Sequence, residues 1–163
     1  MLHRHERVEI LCHNAHVHED AERGFGRRRR IDVWWGGLQA NGGLMMLLAY
    51  LLQTSREWQG TEMHVKLVVG SEAAAEGARR NLEGVLGRMR ITAETHVMID
   101  AGRSFPEVLR ESSRDADLVL LGVAEPGEDF SEYYGRLHLL AEGLPTVAFV
   151  LAAQDLDFSA VLL

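Results

Sequence analysis

The sequence predicts an α/β fold: a three-layer, open, mostly parallel sheet of about five strands with helices on both faces. Three observations lead there. Short apolar or β-branched runs alternate with helix-patterned segments of about ten residues or more, the signature of crossover units in a parallel sheet. Two of the runs, Leu118–Leu121 and Val147–Leu151, are apolar throughout, as strands covered on both faces are. The helical segments between them carry their own start and stop signals.

The first 26 residues stand apart. They hold His3, His5, His13, His16 and His18, five of the eight histidines. Val8, Ile10 and Cys12 alternate with Glu9 and Leu11, which makes Val8–Cys12 a candidate edge strand. Residues 19–26 are polar and glycine-containing and read as a loop. The chain therefore divides into a His-rich leader over 1–26, with an edge strand and linker, and an α/β domain over 27–163.

From Ile31 the pattern is regular. Ile31–Trp35 reads as a strand, and Leu44–Thr54 as a helix after a glycine-rich turn. Met63–Val69 is the next strand, closed by Gly70. Ser71 caps a long helix reaching about Met89. Its Ala78, Leu82, Val85, Leu86 and Met89 share one face, with Arg79, Arg80 and Arg88 toward the other. Ile91–Ile99 contains another strand. Ser104 and Glu107 form a capping box, and Pro106 sits in the first turn, where its missing N–H does no harm. After Leu118–Leu121, Asp129 and Glu132 repeat the capping pattern. That helix runs to about Glu142, stops at Gly143, and Pro145 follows. Thr146–Leu151 is the last strand.

Composition narrows the function. A chain of 163 residues fits one domain and buries roughly 70% of its unfolded surface. The longest apolar run, Leu44–Leu52, is too short for a bilayer, which needs about 20 residues. The leader has no apolar signal core. Cys12 is the single cysteine, which rules out an intrachain disulfide. The formal charge of −7 argues against general nucleic-acid binding. A local exception is the run Arg27, Arg28, Arg29 and Arg30, which reads as a solvated strand entry with a lipid-surface contact as the functional alternative.

The turn Gly36–Leu44 is where a phosphate would bind in such a fold. Gly37 and Gly42 have the spacing of the outer glycines of a P-loop, but Gly43 and Leu44 stand where that motif needs Lys and Ser or Thr. The dinucleotide pattern also fails. The glycines are expected to allow tight turning and close strand–helix packing instead. If Ile31–Trp35 and Leu118–Leu121 flank the point where strand order reverses, the facing loop carries Glu125, Glu128 and Asp129, which would repel a phosphate.

No nucleophile, base and acid can be assembled, so no catalytic residue, cofactor-binding residue or cofactor is assigned, and no enzyme is expected. Cys12 lies in a strand-like leader, not at a helix N-terminus that would activate it. The pairs His3/His5 and His16/His18, with His13, could chelate a metal, but a leader without fixed geometry is a poor frame for one; no metal ligand is assigned. The helix Leu44–Leu52 has no polar stripe, so either the domain or another subunit must cover its second face. With the two tryptophans ending the strand, this singles out Trp34, Trp35, Leu44, Met45, Leu48 and Leu52 as interaction residues.

The sequence resembles the cytoplasmic C-terminal domain of the cation–chloride cotransporters (Na-K-Cl and K-Cl type), in their compact prokaryotic form. The residues that carry it are Ile31–Trp35 with the glycine-rich turn, Leu47–Leu52 with Tyr50, Trp58, Ala116–Gly122 and Gly143–Val150, together with the approach Gly26–Arg30. It covers about residues 24–163. The resemblance implies a universal-stress-protein-like fold. It also implies a non-enzymatic regulatory module that dimerises at the cytoplasmic face of the membrane and acts on a transmembrane transport core. Ile99–Phe105 leaves no room for the long phosphorylation-bearing insertion of eukaryotic members. Nothing in the chain corresponds to the transport core, so the end of a longer transporter, a separate subunit and a free-standing relative stay open. The competing expectation from the same fold is a small nucleotide-binding sensor of the universal-stress-protein type.

Overall fold

A computed structural model describes residues 9–13, 29–36, 39–125 and 129–152. Among these residues ten elements run β1 (Glu9–His13), β2 (Arg30–Trp34), α1 (Gln39–Gln53), β3 (Glu62–Val69), α2 (Glu72–Met89), β4 (Glu94–Ile99), α3 (Phe105–Ser113), β5 (Leu118–Gly122), α4 (Phe130–Ala141) and β6 (Thr146–Leu151). They build a sheet in the order β1-β6-β5-β2-β3-β4. Five strands are parallel, and β1 closes the β6 edge antiparallel, with Glu9 opposite Leu151. The leader thus supplies the sixth strand. The expected edge strand Val8–Cys12 overlaps β1, which also takes in His13, while Val8 lies outside the described residues.

The strand order reverses between β2 and β5, which pair directly, with Val33 beside Leu120. Before that point the connections place α1 and α2 on one face; after it they place α3 and α4 on the other. Period-two alternation along β2 sorts the core accordingly. Ile31 and Val33 face Met45, Met46, Ala49, Leu82 and Leu86, while Trp34 faces Val108, Leu109 and Leu137. Of the runs expected to be covered on both faces, Leu118–Leu121 is buried throughout and Val147–Leu151 is buried up to Val150, with Leu151 half-buried at the strand end.

The local signals act as written. Ser71 Oγ accepts from Ala74 N–H to start α2. Ser104 and Glu107 close the capping box of α3, and Asp129 accepts from Glu132 N–H to start α4. Gly143, at φ 77°, takes the left-handed turn that ends α4. The main difference is α1. It begins at Gln39, not Leu44, so Asn41, Gly42 and Gly43 are helical despite their poor helix propensity. Packing overrides propensity here, because the ring of Trp35 lies across the helix at Gly42. A Cβ on Gly42 would sit 2.6 Å from Trp35 Cε3 and 2.7 Å from Cη2. Only a glycine lets the helix approach the strand end this closely.

Candidate functional site

The carboxyl ends of β2 and β5 form the crevice where ligands enter open α/β sheets. In this chain side chains occupy it. Asn41, in the first turn of α1, is buried at 3% exposure. Its Nδ2 donates to Val123 O at 2.7 Å, and its Oδ1 accepts from Ala152 N–H at 2.7 Å. One amide therefore joins the start of α1 to the ends of β5 and β6, with both of its polar atoms engaged. Gly122 lies against it: a Cβ there would come within 2.9 Å of Asn41 Cβ. Trp35, half-buried, covers Gly42 beside it with its ring, and its backbone N–H donates to Lys66 O at 2.8 Å. Of the facing acids, Asp129 caps α4 and Glu125 is exposed. Glu128 and Gly37 lie outside the described residues.

On the α3 face the central strands carry a polar ladder that the sequence reading missed. Register places Asp32 beside His64 and His64 beside Glu94, then Trp34 beside Lys66 and Lys66 beside His96. Asp32 is wholly buried. Its Oδ2 accepts from Lys66 Nζ at 2.7 Å, and its Oδ1 lies 3.1 Å from Arg30 Nε. Lys66 Nζ donates also to Ser112 O at 2.5 Å and Ser112 Oγ at 2.9 Å. An ammonium has three N–H groups, and three acceptors take them. Burial pushes the Lys66 ammonium below its ordinary pKa, and the contact with Asp32 opposes that shift. Trp34 Nε1 donates to the buried Ser113 Oγ at 3.0 Å. The cluster clamps the C-terminal turn of α3 onto the middle of the sheet. With all three protons engaged, Lys66 is not poised as a free base.

Arg30, the last of the arginine run, turns inward to Asp32 and Ser112 O. Arg29 is exposed, while its N–H and that of Arg30 donate to Asp117 Oδ2 at 2.6 and 3.0 Å. Arg27 and Arg28 lie outside the described residues, as do His3, His5, His16 and His18. At the β4 edge of the ladder, His64 and His96 stack with ring centroids 4.9 Å apart. Burial foremost, and then the neighbouring His64, hold the His96 imidazole below its ordinary pKa.

The expected interaction residues divide into two groups. Trp34, Leu44 and Met45 are core residues, at 3%, 6% and 0% exposure. Trp35, Leu48 and Leu52 are half-buried at the margin of the core that holds Leu44 and Met45, while Trp34 lies in the core on the other face of the sheet. Among the described side chains of α1, Tyr50 and Leu51 are the exposed large hydrophobics, at 41% and 53%. Most of the second face of this apolar helix is thus covered by its own domain. The polar ladder was missed because no local motif marks it. Its one sequence signal was a charge or histidine at alternate positions in three strands otherwise rich in Val and Met.

A family model described as solute carrier family 12 matches residues 13–107, more than half of the chain. Over 69 residues, 42% of the chain, the sequence is 30% identical to potassium/chloride cotransporter 3 of Caenorhabditis elegans, of which the chain spans 6%. The fold is similar to the crystal structure of the cytoplasmic domain of a prokaryotic cation chloride cotransporter. That match has a TM-score of 0.62 at 19% identity and covers 94% of this chain and 56% of the other.

Proposed function

Since the chain belongs to solute carrier family 12, we propose that it is a cytoplasmic, non-enzymatic regulatory and dimerisation module of a cation–chloride cotransporter. It works with a transmembrane core, on the same longer chain or a separate one. The observation that carries this reading is the family match over residues 13–107. The engaged polar groups of the crevice and of the Asp32–Lys66 clamp support a structural role over a chemical one. They also favour it over a nucleotide sensor, since a phosphate at the switch point would have to displace both Asn41 hydrogen bonds. No helix among the described residues is long and apolar enough to cross a membrane.

The dimer contact in this reading is the outward side of α1. Tyr50 and Leu51 form its centre, with Leu48, Leu52 and Trp35 at its margin. The exposed Arg29, with Arg27 and Arg28 before it, supplies contact with an anionic lipid surface. Light scattering over a concentration series tests the first point. A dimer that dissociates on Leu51→Asp is expected; a strict monomer at high concentration, indifferent to that substitution, removes the dimerisation reading. For the regulatory point, chloride-dependent rubidium uptake is measured in cells carrying the full transporter. Flux unchanged by Leu51→Asp and by loss of the domain would defeat it.

A further inference from the structure

The end of the polar ladder holds a cluster that neither the clamp nor the crevice uses. His64 of β3 and Glu94 of β4 are register partners, and His96 stands two residues beyond Glu94 on the same face. The three residues offer donor atoms that all lie within 4.8 Å of one another. Glu94 Oε2 is 3.7 Å from His64 Nε2 and 3.6 Å from His96 Nε2, and Glu62 Oε2 is 3.5 Å from His64 Nε2. Donors around a tetrahedral ion with bonds of about 2.0–2.1 Å stand about 3.3 Å apart. Glu94 Oε2 stands within a few tenths of an ångström of that spacing from the Nε2 atoms of both imidazoles.

Two further features favour an ion. His64 Nε2 is buried and has no hydrogen-bond partner, a costly state that a metal bond would relieve. His64 Nδ1 and His96 Nε2 are hydrogen-bonded at 3.0 Å, and an ion on His96 Nε2 takes the place of that bond. The glutamates lie on the solvent side, 69% and 63% exposed, which leaves an entry path.

We propose that His64, Glu94 and His96 bind a divalent transition-metal ion of the zinc class, with water in the fourth position, and so tie β3 to the edge strand β4. Two imidazoles with a carboxylate suit zinc, cobalt or nickel over magnesium or calcium, which prefer all-oxygen cages. The inference is independent of the transporter reading.

The test uses the full chain with zinc chloride and cobalt chloride as probes. One equivalent should bind, raise the melting temperature and, for cobalt, give the visible absorption of a tetrahedral site. Glu94→Gln and His96→Asn, at partly exposed positions, should each weaken binding at least about tenfold while leaving the metal-free chain folded, with unchanged circular dichroism. A variant with His3, His5, His13, His16 and His18 all changed to Asn should keep the site. Three results would overturn the proposal: no binding, binding that survives Glu94→Gln and His96→Asn together, or binding that vanishes with the leader histidines.

Discussion

Asp32→Asn is the substitution that most directly probes how this sheet is held together. The change keeps the shape of the side chain and removes one negative charge from a site with no solvent exposure. Lys66 Nζ, in a side chain only 4% exposed, loses the partner it holds at 2.7 Å. Breaking a buried pair in this way costs about 3–5 kcal/mol, because the remaining charge stays desolvated. Arg30 also loses a partner, but its side chain is 22% exposed, and water recovers most of that loss. The expected total is therefore about 3–5 kcal/mol, or a fall in melting temperature of roughly 6–20 °C for a chain of this size. Lys66→Met should cost less, since Asp32 keeps Arg30. The double variant Asp32→Asn/Lys66→Met should be more stable than Asp32→Asn alone, because the unpaired ammonium has gone. Urea unfolding of the four proteins measures all three differences. A loss below about 1 kcal/mol for Asp32→Asn, or a double variant no better than it, would mean that the pair is not desolvated and the reasoning fails.

Other expectations follow from single contacts. Gly42→Ala should destabilise by about 1–3 kcal/mol through overlap with the Trp35 ring, although alanine in a helix normally gains about 1 kcal/mol over glycine; a more stable variant in thermal unfolding would refute the packing at α1. Glu107 is held below its ordinary pKa, first by the Ser104 hydroxyl and then by the Ser104 backbone N–H. A depressed carboxyl stabilises the fold above its unfolded pKa and loses that contribution as pH falls through the folded one. The melting temperatures of the native chain and Glu107→Gln should thus differ above about pH 5 and converge below the ordinary carboxylate range; a constant gap across that titration would count against the capping box.

Much of the architecture is local in origin, which is why it was legible. The boundaries of α2, α3 and α4 follow from Ser71, Ser104, Glu107, Asp129 and Gly143, residues that act on backbone groups within a turn of themselves. The parallel sheet follows from the alternation of strands with covering helices, and the apolar runs in β5 and β6 from burial on both faces. The absent phosphate-binding residues around Gly42 also correctly pointed to close packing as the role of that glycine.

What tertiary structure alone decided involves partners distant in sequence. The start of α1 moved to Gln39 because Trp35 and the ends of β5 and β6 hold Asn41 and Gly42 in place; propensity within the segment opposes a helix there. The apolar surface of α1 read as awaiting a partner, yet the sheet covers Leu44, Met45 and Met46 and leaves chiefly Tyr50 and Leu51 outside. The Asp32–Lys66 clamp and the His64, Glu94 and His96 cluster arise only when parallel strands, separated in sequence by whole helices, fall into register. Sequence determined which elements form and which face of each is apolar, because those follow from residues a few positions apart. Which charges and imidazoles meet depended on the order of the strands, since a side chain's neighbour across a sheet is set by pairing and not by position along the chain.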